Sequence, residues 1–288
     1  MNLFFSPQTK KLQKLSWQLR QDLIDMSYYA GHIHIGGSLS ALDLILSVYL
    51  SDIFNFSQNK RMRSPPVVDA SKRTDDNFIL SPGHTCPALY VVLAYLKYFS
   101  KVELKNYNKM GSILQGHVSK DVPGVLYSSG SLGQGLSFAS GLALADKLDK
   151  KSRYTICLTS DGEHQEGQIW EALMFANKYK LNKLINIVDC NKYQINGSTQ
   201  DIMPLDDLAA KYIHFGWTVK EVNGHDFNQI TKMLKLAKQS DRPVCIIAHT
   251  TFGKGISFMQ YDYNFHSLDR LTDFQYKKAQ KEIKNHLK

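Results

Sequence analysis

Cysteine is scarce and unpaired in this sequence. Its four cysteines, Cys86, Cys157, Cys190 and Cys245, lie far apart with no C-x-x-C pair. That spacing excludes a disulfide framework and a cysteine zinc site, and leaves them as isolated core residues. Long apolar runs are missing too. The longest, Pro87 to Leu96, has ten residues, and Leu39 to Leu50 is broken by Asp43; a membrane-spanning helix needs ~18 to 20. The opening MNLFFSPQTKK puts its apolar residues before its positive ones and offers no small-residue cleavage site. It does not read as a signal peptide, and a cytoplasmic location is expected. With no internal repeat, low-complexity tract or linker, a single domain over residues 1–288 is expected.

What is present has globular proportions. The 288 residues are 43% hydrophobic, 11% aromatic and 21% charged, which argues against disorder, collagen-like repeats and coiled coil. The net charge of +9 is concentrated at the ends. Residues 1–20 and 270–288 carry +4 each, and the 249 residues between them carry +1. A nucleic-acid enzyme places its charge around its working surface with aromatics interleaved, so nucleic acid is set aside as a partner. Both basic ends read as helical segments, either solvated or docking on an acidic partner.

Periodicity supplies the elements. Leu12, Leu15, Leu19, Leu23 and Met26 recur at helical steps, ending near Tyr29. A second helix is expected from Leu39 to Tyr49 after the glycines of GGSLSALD, with Ser38 or Ser40 as its N-cap. Arg61 to Asp76 is polar and proline-broken and reads as a surface loop. Short apolar runs then alternate with helical stretches. Strands are expected at 78–81, 154–159, 184–188, 218–222 and 244–249, and helices at 87–99, 133–148, 168–179 and 226–239. This predicts an α/β fold with a parallel sheet flanked by helices on both faces. In such sheets ligands bind beyond the carboxyl ends of the strands.

Two motifs stand at such ends. SDGEHQEG follows the strand YTICLT, and DCNKYQING follows LINIV, setting Asp161 and Asn191 thirty residues apart at one sheet edge. Asp161, Asn191 and the Tyr193 carbonyl offer oxygen ligands suited to a hard cation such as Mg2+, with phosphate oxygens completing the shell. Gly162 allows a phosphate to approach the backbone. The glycine-dense SSGSLGQGLSFASGLALA at 128–145 opens a helix whose N-terminus favours anions. His34, His84, His117 and His266 each sit in a Gly-, Pro- or Ser-containing loop and are suited to proton transfer near neutral pH. Taken singly, each has an ordinary alternative: Asp-Gly is a common turn, glycine-rich helix starts are widespread, and a loop histidine is commonly a surface residue.

In combination and order, AGHIHIGGSLSALD, FILSPGHTCPALY, GSLGQGLSFASGLALA, SDGEHQEGQIWEA with DCNKYQING, and GKGISFMQ with a late histidine resemble the N-terminal part of transketolases. The similarity runs from about Leu12 to about His266, and the chain looks most like the separately encoded N-terminal subunit of a split transketolase. The resemblance implies the diphosphate-binding domain of the thiamine diphosphate-binding fold. Asp161, Asn191 and the Tyr193 carbonyl would hold Mg2+, or Ca2+ or Mn2+ in its place. Gly162 would lie against the diphosphate, and Gly130, Ser131 and Leu132 would line the cofactor through their backbones. His84 would contact the diphosphate side, and His117 the substrate hydroxyls. His34 and His266 would handle protons and the developing alkoxide, with His266 also in cofactor contact. Glu166 matches a family glutamate that faces the other active site.

The chain departs from the family pattern in places. Ser160 stands where many members have Gly, His32 and Ile33 replace small residues, and Phe265 and Ser267 flank His266 where a glycine usually follows. His32 is the alternative to His34, which the ungapped IGGSLSALD favours. The implied activity is transfer of a two-carbon ketol unit from a ketose phosphate to an aldose phosphate in the pentose phosphate pathway. The activating glutamate of the family belongs to a pyrimidine-binding domain for which this sequence has no room. A separately encoded partner chain, an oligomer and inactivity of this chain alone are therefore expected. The competing readings are a 1-deoxyxylulose-5-phosphate synthase or 2-oxo acid dehydrogenase component, and a non-catalytic assembly subunit.

Overall fold

The computed structural model describes residues 7–56 and 75–287. The chain opens with α1 (Pro7–Tyr29) and α2 (Ile35–Leu50), then β1 (Asn77–Leu80), α3 (Cys86–Tyr95), α4 (Gln134–Leu148), β2 (Thr155–Ser160) and α5 (Gly167–Lys178). β3 (Leu184–Cys190) leads into a hairpin of β4 (Tyr193–Gln194) and β5 (Gly197–Ser198), the short α6 (Thr199–Ile202) and α7 (Leu208–His214). β6 (Thr218–Asn223), α8 (Phe227–Ala237), β7 (Val244–His249) and α9 (Asp273–Leu287) complete it.

The large sheet is parallel throughout, in the order β1-β2-β3-β7-β6. Successive side chains of a strand point to opposite faces, and here both faces are covered. Ile156 and Leu158 of β2, Ile185 and Ile187 of β3, and Val244 and Ile246 of β7 enter one apolar core with α1, α2, α3, α8 and α9. Cys157, Leu184, Val188, Cys245 and Ile247 enter a second core with α4, α5 and α7. Burial on both faces explains why the strands read as continuous apolar runs rather than alternating ones. All four cysteines are free; Cys86, Cys157 and Cys245 are buried, and Cys190 is half-buried.

Three details differ from the sequence expectations. α2 begins at Ile35, before its glycines, so Ser38 and Ser40 are helix-interior residues rather than caps. Their hydroxyls donate back to the carbonyls of His34 at 2.6 Å and Gly37 at 2.9 Å. The glycine run continues the helix because a Cβ on Gly36 would fall 2.0 Å from the Phe252 ring; glycine is the residue that lets the two elements touch. Most of the expected 61–76 loop lies outside the described residues, but Asp76 is buried, accepting from the amides of Asn55 at 2.7 Å and Tyr154 at 2.6 Å. The hairpin, α6 and α7 are too short to leave a period in the sequence.

A buried charge cluster ties the helices to the loop after β7. Arg20 of α1 and Asp43 of α2 pair at 2.8 Å, with Ser16 bonded to both. His225 Nδ1 donates to the same carboxylate at 2.7 Å, while its Nε2 accepts from the Thr251 amide at 2.8 Å. The guanidinium and imidazole hold the Asp43 carboxyl well below the usual carboxylate range against the opposing effect of burial. The two basic ends of the chain also meet: Trp17 of α1 stacks on His286 of α9 at 3.9 Å, and Tyr28 on Tyr276 at 4.1 Å.

Candidate active site

The carboxyl edge of the sheet gathers the residues singled out by the sequence. Asp161 follows β2 and is 2% exposed. Its carboxylate accepts from its neighbour Gly162 N at 2.9 Å and from Lys192 N at 2.6 Å. That second bond closes the thirty-residue gap, because Lys192 follows Asn191. The Asn191 side-chain carbonyl accepts from Tyr193 N at 2.9 Å, and its amide donates to Ser40 Oγ and to Asp189, each at 3.2 Å. Asp189 also accepts from Ser40 Oγ at 2.6 Å and from Thr250. Burial, reinforced by the Asp189 charge, raises the Asp161 pKa to about 7; burial raises that of Asp189 to about 6.

The glycine-rich loop runs beside this pair. Ser129 donates to the Leu80 carbonyl at 2.6 Å, Gln168 donates to the Leu132 carbonyl at 2.8 Å, and Gly133 turns into α4 with φ +80°. A side chain on Gly133 would also meet Glu166 Cβ at 2.9 Å, so glycine is required on both counts. α4 has no side-chain cap at its N-terminus, leaving a positive dipole end beside exposed Gly130 and Ser131. Glu166 is exposed at the start of α5 and places no side-chain bond on that helix.

The four histidines converge although they lie up to 232 positions apart in the sequence. His34 is central, with ring centroids at 5.2 Å from His84, 5.8 Å from His117 and 5.6 Å from His266. His84 and His266 are 5.2 Å apart. Backbone pairing assembles them. Ile33 and Leu268 form an antiparallel bridge of 2.9 and 3.0 Å bonds that brings His266 to His34. Val118 N bonds Gly83 O, and Ser129 N bonds Val118 O, tying His84, His117 and the glycine-rich loop together. His32 stays at the rim: its ring is 5.2 Å from His34, half-exposed, and 3.6 Å from Asp269. Burial pushes the pKa down to about 3 for His34, with help from the neighbouring rings, and down to about 4 for His266. Burial and the same neighbours hold His84 well below the usual range. These three rings are therefore neutral at pH 7. The buried Nδ1 atoms of His34 and His266 have no hydrogen-bond partner among the described residues.

Unpartnered buried nitrogens of this kind are costly, and two facing one cluster fit a polar ligand. The donor set nearby also fits a diphosphate with a hard cation: one carboxylate, one carboxamide and a backbone carbonyl, with an uncapped helix N-terminus alongside. Among the described residues, no three His, Cys, Asp or Glu side chains gather as a metal site of their own.

A family model described as "Transketolase, thiamine diphosphate binding domain" matches residues 24–280. The chain belongs to the transketolase family. It is 37% identical over 278 residues to an apulose-4-phosphate transketolase subunit of Phocaeicola vulgatus, covering 96% of this chain and 95% of that one. It is 37% identical over 252 residues to the 6-deoxy-6-sulfo-D-fructose transketolase subunit SqwG of a Clostridium species, covering 87% and 88%. Against the solved Campylobacter jejuni transketolase the TM-score is 0.85 at 29% identity, covering 99% of this chain and 43% of that one. Human transketolase is 32% identical over 270 residues, of which 41% of its length is covered. This transketolase-family chain thus spans most of the relatives named as subunits and under half of the longer ones.

Sequence reasoning missed Glu163, Asp189 and Ser40 among the buried residues of this candidate site. Glu163 and Asp189 are buried carboxylates in stretches that read as polar, and Ser40 reads as a helix cap; no sequence signal separates such residues from surface ones.

Proposed function

We propose that this chain is the diphosphate-binding subunit of a two-chain transketolase, moving a two-carbon ketol unit between sugar phosphates. The convergence of His34, His84, His117 and His266, with two unpartnered Nδ1 atoms, beside the Asp161 and Asn191 pair carries this reading. Thiamine diphosphate, when bound, supplies the carbon nucleophile and the electron sink for breaking a bond next to a ketose carbonyl.

Asp161, Asn191 and the Tyr193 carbonyl would hold Mg2+ or a similar divalent cation. Gly162 and the backbones of Gly130, Ser131 and Leu132 would bind the diphosphate, with His84 on that side and Glu166 at the loop's edge. His117 would bind substrate hydroxyls. His34 and His266, kept neutral by burial, would take a hydroxyl proton at Nδ1 and return it to the developing alkoxide, a role worth about 10²- to 10⁴-fold. The whole chain would act as one cofactor-binding unit. That two relatives covered over most of their length carry the word "subunit" in their names supports a second chain as partner.

The test combines the purified chain with a candidate partner chain, thiamine diphosphate and Mg2+, and offers a ketose phosphate with an aldose phosphate or, separately, pyruvate. Two-carbon transfer only with both chains present is expected. Turnover of pyruvate alone would favour another thiamine diphosphate reaction, and turnover by the single chain would end the two-chain reading. Sugars of the apulose and sulfofructose type belong in the panel because relatives are named for them.

A further inference from the structure

Glu163 is fully buried in the turn Gly162–Gln165, two residues after Asp161. One oxygen of its carboxylate accepts from Ser81 Oγ at 2.5 Å and from Gly133 N at 2.8 Å. The other accepts from Ser160 N at 2.9 Å. Ser81 follows β1, Ser160 ends β2, and Gly133 is where the glycine-rich loop turns into α4. One side chain thus pins three segment ends that border the proposed diphosphate site. These donors are all uncharged. Burying a carboxylate among neutral donors is expensive, and its bonds must be well aligned to offset that cost. An ionised Glu163 would moreover repel a diphosphate, so any benefit to binding must come from geometry and not from attraction.

We propose that Glu163 is a positioning residue that sets the glycine-rich loop for the cofactor's diphosphate. It fixes the Gly133 amide at the left-handed turn from which Gly130, Ser131 and Leu132 present their backbone. This rests on the reading that residues 130–132 and 161–162 hold the diphosphate. Glutamine cannot replace it: with one oxygen kept for Ser81 and Gly133, its NH2 would face the Ser160 N–H, donor against donor.

The test compares the full wild-type chain with Glu163→Gln, the milder Ser81→Ala, and Asn77→Ala. Asn77 bonds Asp146 and Thr155 at the other end of the strands, so its variant controls for lost stability. Hydrogen exchange in the cofactor-free chain reads loop order, and calorimetry of each chain combined with its partner chain, with thiamine diphosphate and Mg2+, reads affinity. Glu163→Gln is expected to speed exchange across 128–136 and at 160, and to weaken binding by roughly tenfold or more, as losing a charge-assisted buried bond does. Ser81→Ala should give a smaller change of both, and Asn77→Ala neither. Unchanged exchange in Glu163→Gln, equal or tighter cofactor binding by it, or an equal loss in Asn77→Ala would overturn the inference. No cofactor binding by the wild-type chain together with its partner chain, with exchange responding as expected, would instead overturn the diphosphate reading beneath it.

Discussion

Burial lowers the pKa of His34 to about 3 and of His266 to about 4, against an ordinary value of 6.5, and the consequence has a definite sign. Above pH 6.5 both the folded and the unfolded chain hold these rings neutral. As pH falls from 6.5 toward 3, the unfolded chain takes up protons that the folded chain refuses, and stability is lost. Asp161 and Asp189, whose pKa values are raised, contribute in the opposite direction, so a variant isolates the effect. His34→Gln should show a smaller fall in melting temperature between pH 7.5 and pH 5 than wild type, measured by thermal denaturation. In the two-chain enzyme, His34→Ala and His266→Ala should each lower kcat by about 10²-fold or more, while His32→Ala should leave kcat within a few fold. Asp161→Asn should weaken the apparent affinity for Mg2+ by roughly 10- to 100-fold, the scale for disturbing a metal's surroundings, as seen by titrating the metal back after chelation.

Helix α2 is held along its buried face. Near its start, Gly36 touches the Phe252 ring, and in its middle Asp43 bonds Arg20 and His225. Gly36→Ala should cost about 1 to 3 kcal/mol by forcing the helix off the loop after β7. Asp43→Ala should cost about 3 to 5 kcal/mol by leaving Arg20 buried without its partner; denaturant unfolding measures both. Elements of this kind divide what is legible in the sequence from what is not. Strands β1, β2, β3 and β7 and the helices between them are readable because two-sided burial writes apolar runs and 3.6-residue periods into the sequence; the edge strand β6, with Lys220 and Glu221 exposed, is readable from Val219 and Val222 instead. The start of α2 is not readable, because Gly36 answers to Phe252, more than two hundred residues away, a contact that leaves no local trace. Asp161, Asn191 and the histidines are visible as chemistry at strand ends and in loops, whereas Glu163 and Asp189 are distinguished by burial, which a polar stretch hides.

Across the whole molecule, the helices that carry the cationic ends of the sequence are brought side by side, since α1 and α9 pack together. Lys10, Lys11 and Lys14 on α1 and Lys277, Lys278 and Lys281 on α9 are exposed there. Replacing them with glutamine should leave affinity for the partner chain and its salt dependence unchanged if these are solvated helix faces; a fall in both would identify a docking surface for an acidic partner. The bridge between Ile33 and Leu268 reaches across nearly the whole chain. During synthesis on the ribosome, the sheet's strands are complete once β7 has emerged, but the histidine pocket still waits for the stretch that carries His266. Long-range closure of this kind is entropically late in folding. A chain lacking residues 266–268 would therefore hold the strands of the sheet without the Ile33–Leu268 bridge or the contact between His34 and His266.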